Sequence, residues 1–138
     1  MRAYVDSSVL LRLLLGSPGT LAEWKEVERA VASSLLRVEC LRVLDRLRLK
    51  AAVEPDEVGR RRQALESSLA SFDVVEITGA VLERASEPMP LPLGTLDAVH
   101  LATALLWREE APGELVFATH DAALAEAARL YGFPVVGV

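Results

Sequence analysis

The protein has 138 residues, of which 51% are hydrophobic and 25% charged, with one cysteine and a formal net charge of −5. This composition is typical of a globular chain with a buried core, and it excludes intrinsic disorder and an internal disulfide. The longest apolar stretch, residues 9–15, contains Arg12 and is shorter than the roughly 20 residues that span a bilayer. We therefore expect a cytoplasmic protein in which Cys40 packs as a small hydrophobic side chain.

The first half of the chain predicts strands alternating with helices. Apolar periodicity and helix-stop signals at Gly16 and Pro55 divide this half into short segments. Ser34 is the predicted N-cap of the helix from Leu35 to about Leu49. The predicted strands cover residues 3–5 and 30–33, and the predicted helices cover 7–15, 35–49 and about 55–72.

The second half continues the alternation. Predicted strands cover residues 73–77, 115–118 and 135–138, and predicted helices begin at Thr78, Thr95 and Ala122. The helix from Thr95 to about Arg108 is apolar nearly all round, which is typical of a buried helix. Short apolar strands alternating with helices predict a parallel sheet covered on both faces. Since no linker or repeat divides the sequence, we expect one domain over residues 1–138.

Two aspartates follow predicted strands directly. Asp6 comes after the first strand, and Asp121 comes shortly after the fourth. Because ligands of open parallel sheets gather at the carboxyl ends of the strands, both side chains are expected at a binding rim. Each aspartate is explained equally well as a helix N-cap, which stabilises a helix by about 1 kcal/mol. Both interpretations stay open on the sequence alone.

A third acid, Asp97, lies in the first turn of the predicted buried helix. The helix dipole stabilises a carboxylate there by about 0.3–1 kcal/mol, which is a purely structural explanation. The neighbouring residues Leu96, Val99 and Leu101 are apolar, however, and an unpaired buried carboxylate is very costly. Asp97 therefore needs a partner, and His100, one turn further along, is a candidate.

Glu39 is the least distinctive acid in the pattern. On its predicted helix it shares a face with Leu35, Arg42 and Arg46. A surface ion pair with Arg42 at i+3 would contribute about 0.2–0.5 kcal/mol. Helical spacing alone favours this surface pair over a functional role.

The available side chains restrict the chemistry. One cysteine and two histidines do not make a zinc cluster, and oxygen donors favour Mg²⁺ or Mn²⁺. The sequence has no serine nucleophile elbow, no phosphate-binding Gly-rich loop and no dinucleotide fingerprint. Convergent carboxylates are the remaining constellation capable of catalysis.

The negative net charge argues against a nucleic-acid partner, because phosphate binding normally depends on a basic surface. Two bound Mg²⁺ ions would nevertheless offset four of the five negative charges. The basic residues are also concentrated in one part of the chain: Arg37, Arg42, Arg46, Arg48, Lys50 and Arg60 to Arg62. The charge therefore weakens a nucleic-acid function without excluding it.

Four segments together resemble a PIN domain, and more specifically a VapC-type toxin of prokaryotic toxin–antitoxin pairs. They are residues 4–10 around Asp6, 34–39 ending in Glu39, 96–102 around Asp97, and 118–121 ending in Asp121, with residues 131–135 closing the pattern. The run Leu-Asp-Ala-Val-His-Leu-Ala in 96–102 is the most distinctive. The resemblance covers essentially the whole chain.

The resemblance implies a three-layer α/β/α sandwich and metal-dependent cleavage of RNA. It assigns Asp6, Glu39, Asp97 and Asp121 as catalytic residues and as ligands of Mg²⁺ or Mn²⁺, with Thr119 supporting them. It also implies an RNA substrate, a cognate antitoxin protein that covers the pocket, and a homodimer. Family members are often more basic than this chain.

Two alternatives remain beside this hypothesis. A signalling receiver also gathers acids at strand ends, but it needs a lysine near the pocket, and Lys25 and Lys50 both lie in regions of helical pattern. The other alternative is a PIN-like fold that binds a partner without catalysis. The residues also leave the choice between RNA and DNA open, because none is seen to read a 2′-hydroxyl.

Overall fold

A computed structural model describes residues 1–138, with five strands in one sheet and six α-helices. In chain order the elements are β1 (Arg2–Val5), α1 (Ser7–Leu15), a short 3₁₀ helix (Ala22–Glu26), β2 (Arg29–Ser33), α2 (Leu35–Leu49), α3 (Pro55–Ala70), β3 (Asp73–Val75), α4 (Gly79–Ala85), α5 (Thr95–Glu110), β4 (Val116–Ala118), α6 (Ala122–Leu130) and β5 (Val135–Val136).

The sheet is parallel throughout, in the order β3-β2-β1-β4-β5. This confirms the predicted parallel sheet. The order reverses at β1, which lies between β2 and β4, and such a switch point opens a crevice at the carboxyl ends of the two strands. The receiver alternative is wrong at the level of the fold, because receivers have the flavodoxin-like order 2-1-3-4-5.

Helices cover both faces of the sheet, because successive strand residues point to opposite sides. Ala3 and Val5 of β1 pack in one core with residues of α1, α2 and α3. Tyr4, between them, packs in a second core with residues of α5 and α6, and α4 packs against α5. The predicted three-layer α/β/α sandwich is therefore confirmed. Cys40 is fully buried in the first core, and burial raises the pKa of its thiol to about 12, so it is the small hydrophobic side chain that was expected.

Helix α5 is the most deeply buried helix, as its sequence predicts. Every residue from Ala98 to Leu105 is buried, and the helix starts at Thr95 after Gly94, so Asp97 lies in its first turn. Neither α5 nor any other helix combines the length and the apolar character that crossing a bilayer requires.

The predicted ends of the two edge strands are wrong. β3 ends at Val75 and β5 at Val136, two residues short of the predictions, and the side chains of Ile77 and Val138 beyond them are exposed. An edge strand pairs on one side only, so an apolar run there does not guarantee a longer ladder. The predicted cap of α2 also differs: Ser34 makes no side-chain capping bond, and the hydroxyl of Ser33 accepts from the Leu35 amide at 3.1 Å.

Gly137 allows the chain after β5 to lie against the loop after β4. Its φ is +103°, and a Cβ added there would lie 2.3 Å from the carbonyl oxygen of Thr119. We predict that Gly137→Ala lowers the free energy of unfolding by about 1–3 kcal/mol, because it combines backbone strain with a clash against backbone. Denaturant unfolding measures the change.

The matched control is Gly59→Ala in the exposed middle of α3, where an added Cβ meets no atom within 4 Å. Alanine there favours the helix by about 0.5–1 kcal/mol. The two substitutions are thus expected to have opposite signs, and a Gly137→Ala protein as stable as the parent would contradict the close approach.

Candidate active site

The carboxyl ends of β1 and β4 bring Asp6 and Asp121 to the same rim of the sheet. Val5 is in register with Ala118, and the amide of Asp6 donates to the Ala118 carbonyl at 3.2 Å. Asp6 follows β1 immediately, and Asp121 follows β4 after two intervening residues. The rim predicted from the sequence is therefore present, and it lies at the switch point of the strand order.

Asp6 is the N-cap of α1 and is almost fully buried. Its Oδ1 accepts from the hydroxyl of Ser8 at 2.6 Å and from the Ser8 amide at 3.1 Å, and its Oδ2 accepts from the hydroxyl of Thr119 at 2.9 Å. Burial raises the pKa of this carboxyl above 3.8, although the hydrogen bonds from Ser8 and Thr119 and the charge of His100 act in the opposite direction. Desolvation is therefore only partly compensated by protein donors.

Thr119 joins the two loops at the rim. Its fully buried hydroxyl donates to Asp6 and accepts from the Asp121 amide at 3.0 Å. The neighbouring His120 amide donates to the hydroxyl of Ser8 at 2.8 Å. Thr119 therefore lies in the supporting position that was expected for it. Ser8 in the first turn of α1, for which the sequence predicts no role, likewise donates to Asp6 and accepts from a backbone amide that follows β4.

Asp121 is the N-cap of α6, where its Oδ1 accepts from the Leu124 amide at 2.8 Å. The capping interpretation is thus correct for both Asp6 and Asp121. It does not compete with a functional role, because each carboxylate has an oxygen that the helix amides do not use.

Asp97 is half-buried in the first turn of α5 and accepts no hydrogen bond from the protein. Its pKa is raised, first by desolvation and then by repulsion from Asp121, with smaller contributions from Asp6 and Glu39, while His100 acts in the opposite direction. All three other candidate acids therefore influence the charge of Asp97, which places the four carboxyl groups in one electrostatic neighbourhood.

Glu39 does not make the surface pair that its helix predicted. Its Oε1 lies 2.5 Å from Nε2 of His100, 61 residues further along the chain, while Arg42 pairs with Asp45. His100 is thus the partner of Glu39 and makes no hydrogen bond to Asp97, contrary to expectation. The other ring nitrogen, Nδ1, lies 2.8 Å from the hydroxyl of Tyr4. Tyr4 was missed in the sequence, where only its place in an apolar strand was visible.

No three His, Cys, Asp or Glu side chains are spaced as ligands of one metal ion. The donor set nevertheless suits a hard divalent cation, because it consists of carboxylate oxygens. Asp97, without a hydrogen-bond donor and repelled by its neighbours, is the carboxylate that a cation would stabilise most directly. The four-residue metal site stays a prediction.

A groove of about 280 Å³ runs between α1 and α2 and reaches the candidate site at Glu39. Arg42 and Arg46 line it, together with the apolar side chains of Leu35, Val38 and Leu96. Of the predicted basic cluster, these two arginines share the groove with Glu39, whereas Arg37 pairs with Glu66 on the side facing α3.

Comparisons with known proteins agree with the fold. The family model of the PIN domain matches residues 3–130. No curated protein matches the sequence. Among solved structures, a toxin–antitoxin complex from Klebsiella pneumoniae has a chain with 20% identity and a TM-score of 0.65, and the match covers 99% of this chain and 96% of that one. PAE2754 from Pyrobaculum aerophilum has 20% identity and a TM-score of 0.58, with coverages of 98% and 89%.

The two solved structures share the fold with this protein over nearly its full length. The family model covers the segments that hold all four acids, from Asp6 to Asp121. The chain therefore belongs to the PIN domain family.

Proposed function

We propose that this protein is a metal-dependent endoribonuclease whose site consists of Asp6, Glu39, Asp97 and Asp121. The observation that carries the proposal is the convergence of Asp6 and Asp121 at the carboxyl ends of β1 and β4, where the Thr119 hydroxyl is hydrogen-bonded to both residues. The raised pKa of Asp97, caused first by burial and then by its acidic neighbours, agrees with it. Carboxyl groups that lie close together repel one another, and a divalent cation removes that repulsion. Membership of a family that consists generally of nucleases supports the same reaction.

The residues have separate roles in this proposal. When bound, Mg²⁺ or Mn²⁺ supplies stabilisation of the negative charge that develops on the phosphodiester oxygens. Asp6 and Asp97 are the principal ligands, and Glu39 and Asp121 complete the ligand set. Ser8 and Thr119 fix the orientation of the Asp6 carboxylate through their hydroxyl groups. Arg42 and Arg46, along the groove, attract the phosphates on either side of the cleaved bond.

The biological role that we propose is that of a VapC-type toxin. The support is the toxin–antitoxin complex found among the solved structures, together with the four sequence segments. In this role the protein acts in the cytoplasm as a single-domain homodimer over residues 1–138, cleaves RNA, and is inhibited by an antitoxin protein that covers the acidic site. A small DNA-binding protein encoded beside it, with an arginine in its tail, is the expected partner.

Metal binding is expected to stabilise the folded protein. Mg²⁺ or Mn²⁺ at about ten times its Kd adds about 1.4 kcal/mol to the free energy of unfolding, which raises the Tm by a few degrees. Differential scanning fluorimetry with MgCl₂, MnCl₂ or KCl at equal ionic strength measures the effect. A Tm that responds to the divalent salts no more than to KCl would contradict a cation site.

Removing one carboxylate is expected to abolish cleavage. Asp97→Asn should lower kcat on single-stranded RNA by about 100-fold or more, because it removes a metal ligand and not merely a supporting group. The matched control is Asp56→Asn, another aspartate in the first turn of a helix, here α3, but exposed and far from the site. An Asp97→Asn protein that cleaves at the parent's rate would refute the assigned roles and favour a non-catalytic binding protein.

The raised pKa of Asp97 also predicts how stability depends on pH. A carboxyl whose pKa is raised in the folded state binds its proton more tightly there, so its contribution to stability is present in acid and is lost as pH rises. In chelator, the parent should therefore lose stability relative to Asp97→Asn as the pH rises above about 4, the usual pKa of an aspartate. Urea unfolding of both proteins from acidic to neutral pH measures the difference. Equal pH slopes would show that the pKa of Asp97 is not raised in the folded protein.

A further inference from the structure

A continuous chain of polar groups crosses the interior beneath the acids, from β1 through α5 to α2. The hydroxyl of Tyr4 lies 2.8 Å from Nδ1 of His100, and Nε2 of the same ring lies 2.5 Å from Oε1 of Glu39. The residues Tyr4 and His100 are 0% and 1% exposed, whereas the Glu39 side chain is 20% exposed at the edge of the site. The chain therefore connects the core of the fold to one candidate ligand.

The chemistry of the carboxylate fixes the direction of one of these hydrogen bonds. A carboxylate only accepts, so Nε2 of His100 carries a hydrogen and donates to Glu39. Nδ1 is within hydrogen-bond distance of the Tyr4 hydroxyl, which can either donate to this nitrogen or accept from it. Both ring nitrogens are thus satisfied, and the imidazole has one orientation in which this holds.

Glu39 has no other partner that would fix it. Arg42, on the same helix face, is bonded to Asp45, and Oε2 of Glu39 makes no hydrogen bond. We propose that His100 is a positioning residue that anchors one oxygen of Glu39 and thereby leaves the other oriented for a divalent cation, with Tyr4 fixing the ring. This inference rests on the proposed metal-dependent function, because it concerns how one of the proposed ligands is held.

A purely structural histidine would behave differently. If the ring only satisfied polar groups in the core, substitutions at His100 would change stability and leave metal affinity unaltered. If the ring positions Glu39, metal affinity should depend on whether the new side chain still reaches the carboxylate. Removing a side chain that holds a metal ligand in place commonly weakens metal binding by about 10–100-fold.

Two substitutions separate these possibilities. His100→Asn retains a polar atom near the position of Nδ1, and so near Tyr4, but is too short to reach Glu39. His100→Gln places its amide nitrogen near the position of Nε2 and still donates to Glu39. Mn²⁺ binding by isothermal titration calorimetry should weaken by about 10–100-fold in His100→Asn and stay closer to the parent value in His100→Gln. Equal Kd values in parent and His100→Asn, or equal losses in both variants, would overturn the proposal.

Unfolding in chelator shows whether each variant folds. If His100→Asn does not unfold cooperatively, Tyr4→Phe replaces it, since this substitution removes only the hydroxyl that holds Nδ1. Tyr4→Phe must then weaken Mn²⁺ binding, and an unchanged Kd overturns the inference. In kinetics, excess Mn²⁺ should restore the kcat of the folded variants, because the defect lies in affinity for the cation. A kcat that stays low at saturating Mn²⁺ argues against positioning.

A double-mutant cycle tests whether His100 acts through Glu39. In a Glu39→Gln background, adding His100→Asn should weaken Mn²⁺ binding by less than about twofold further. If the two substitutions weaken Mn²⁺ binding by factors that multiply in the double variant, His100 acts elsewhere and the inference is overturned. If the parent protein neither binds Mn²⁺ nor cleaves RNA, the proposed function and this inference both fail. If the parent does both and His100→Asn binds Mn²⁺ equally well, only the inference fails.

Discussion

The burial of carboxyl groups close to one another is the constraint around which this end of the molecule is built. A parallel sheet whose strand order reverses at β1 brings the loops after β1 and β4 together, and with them Asp6 and Asp121. α5 adds Asp97, whose pKa is raised by burial and by its acidic neighbours. The packing of two cores and the hydrogen bonds of Thr119 and Ser8 offset the free-energy cost of holding these groups together. Such an arrangement is stable only if the rest of the structure prevents the acids from separating.

Helix capping and function are two uses of the same carboxylates. Asp6 caps α1 with one oxygen and accepts from Thr119 with the other, and Asp121 caps α6. The partial positive charge of a helix N-terminus reduces the cost of a carboxylate there. A cap therefore lets an acid remain at the rim in the absence of a cation, and it fixes the orientation of the side chain at the same time. The capping role of Asp6 and Asp121 therefore holds their carboxylates in place for the proposed functional role.

The sequence predicted what depends on local pattern and missed what depends on contacts between distant segments. Strand and helix alternation, the buried helix α5 and the positions of Asp6 and Asp121 follow from periodicity and from the rule for parallel sheets. The partner of Glu39 did not follow, because helical spacing shows only neighbours three or four residues away, while His100 is 61 residues distant. The contact of Tyr4 with His100 was not predicted either, because the two residues are distant in sequence. An aromatic residue in a short strand is ordinarily a packing residue. The ends of β3 and β5 were overestimated because an edge strand lacks the second neighbour that extends a ladder.

The acidity of the protein gives the proposed nuclease a further property. With a net charge of −5, and with Arg42 and Arg46 as the cations of the groove, the acidic site repels a phosphodiester in addition to its own carboxylates. In the proposed function a divalent cation relieves both repulsions, so its binding would strengthen the binding of RNA. By thermodynamic reciprocity, RNA must strengthen the binding of the cation by the same factor. In the proposed nuclease, cation and substrate would therefore each bind more tightly in the presence of the other, whereas a more basic protein could hold RNA through its surface alone.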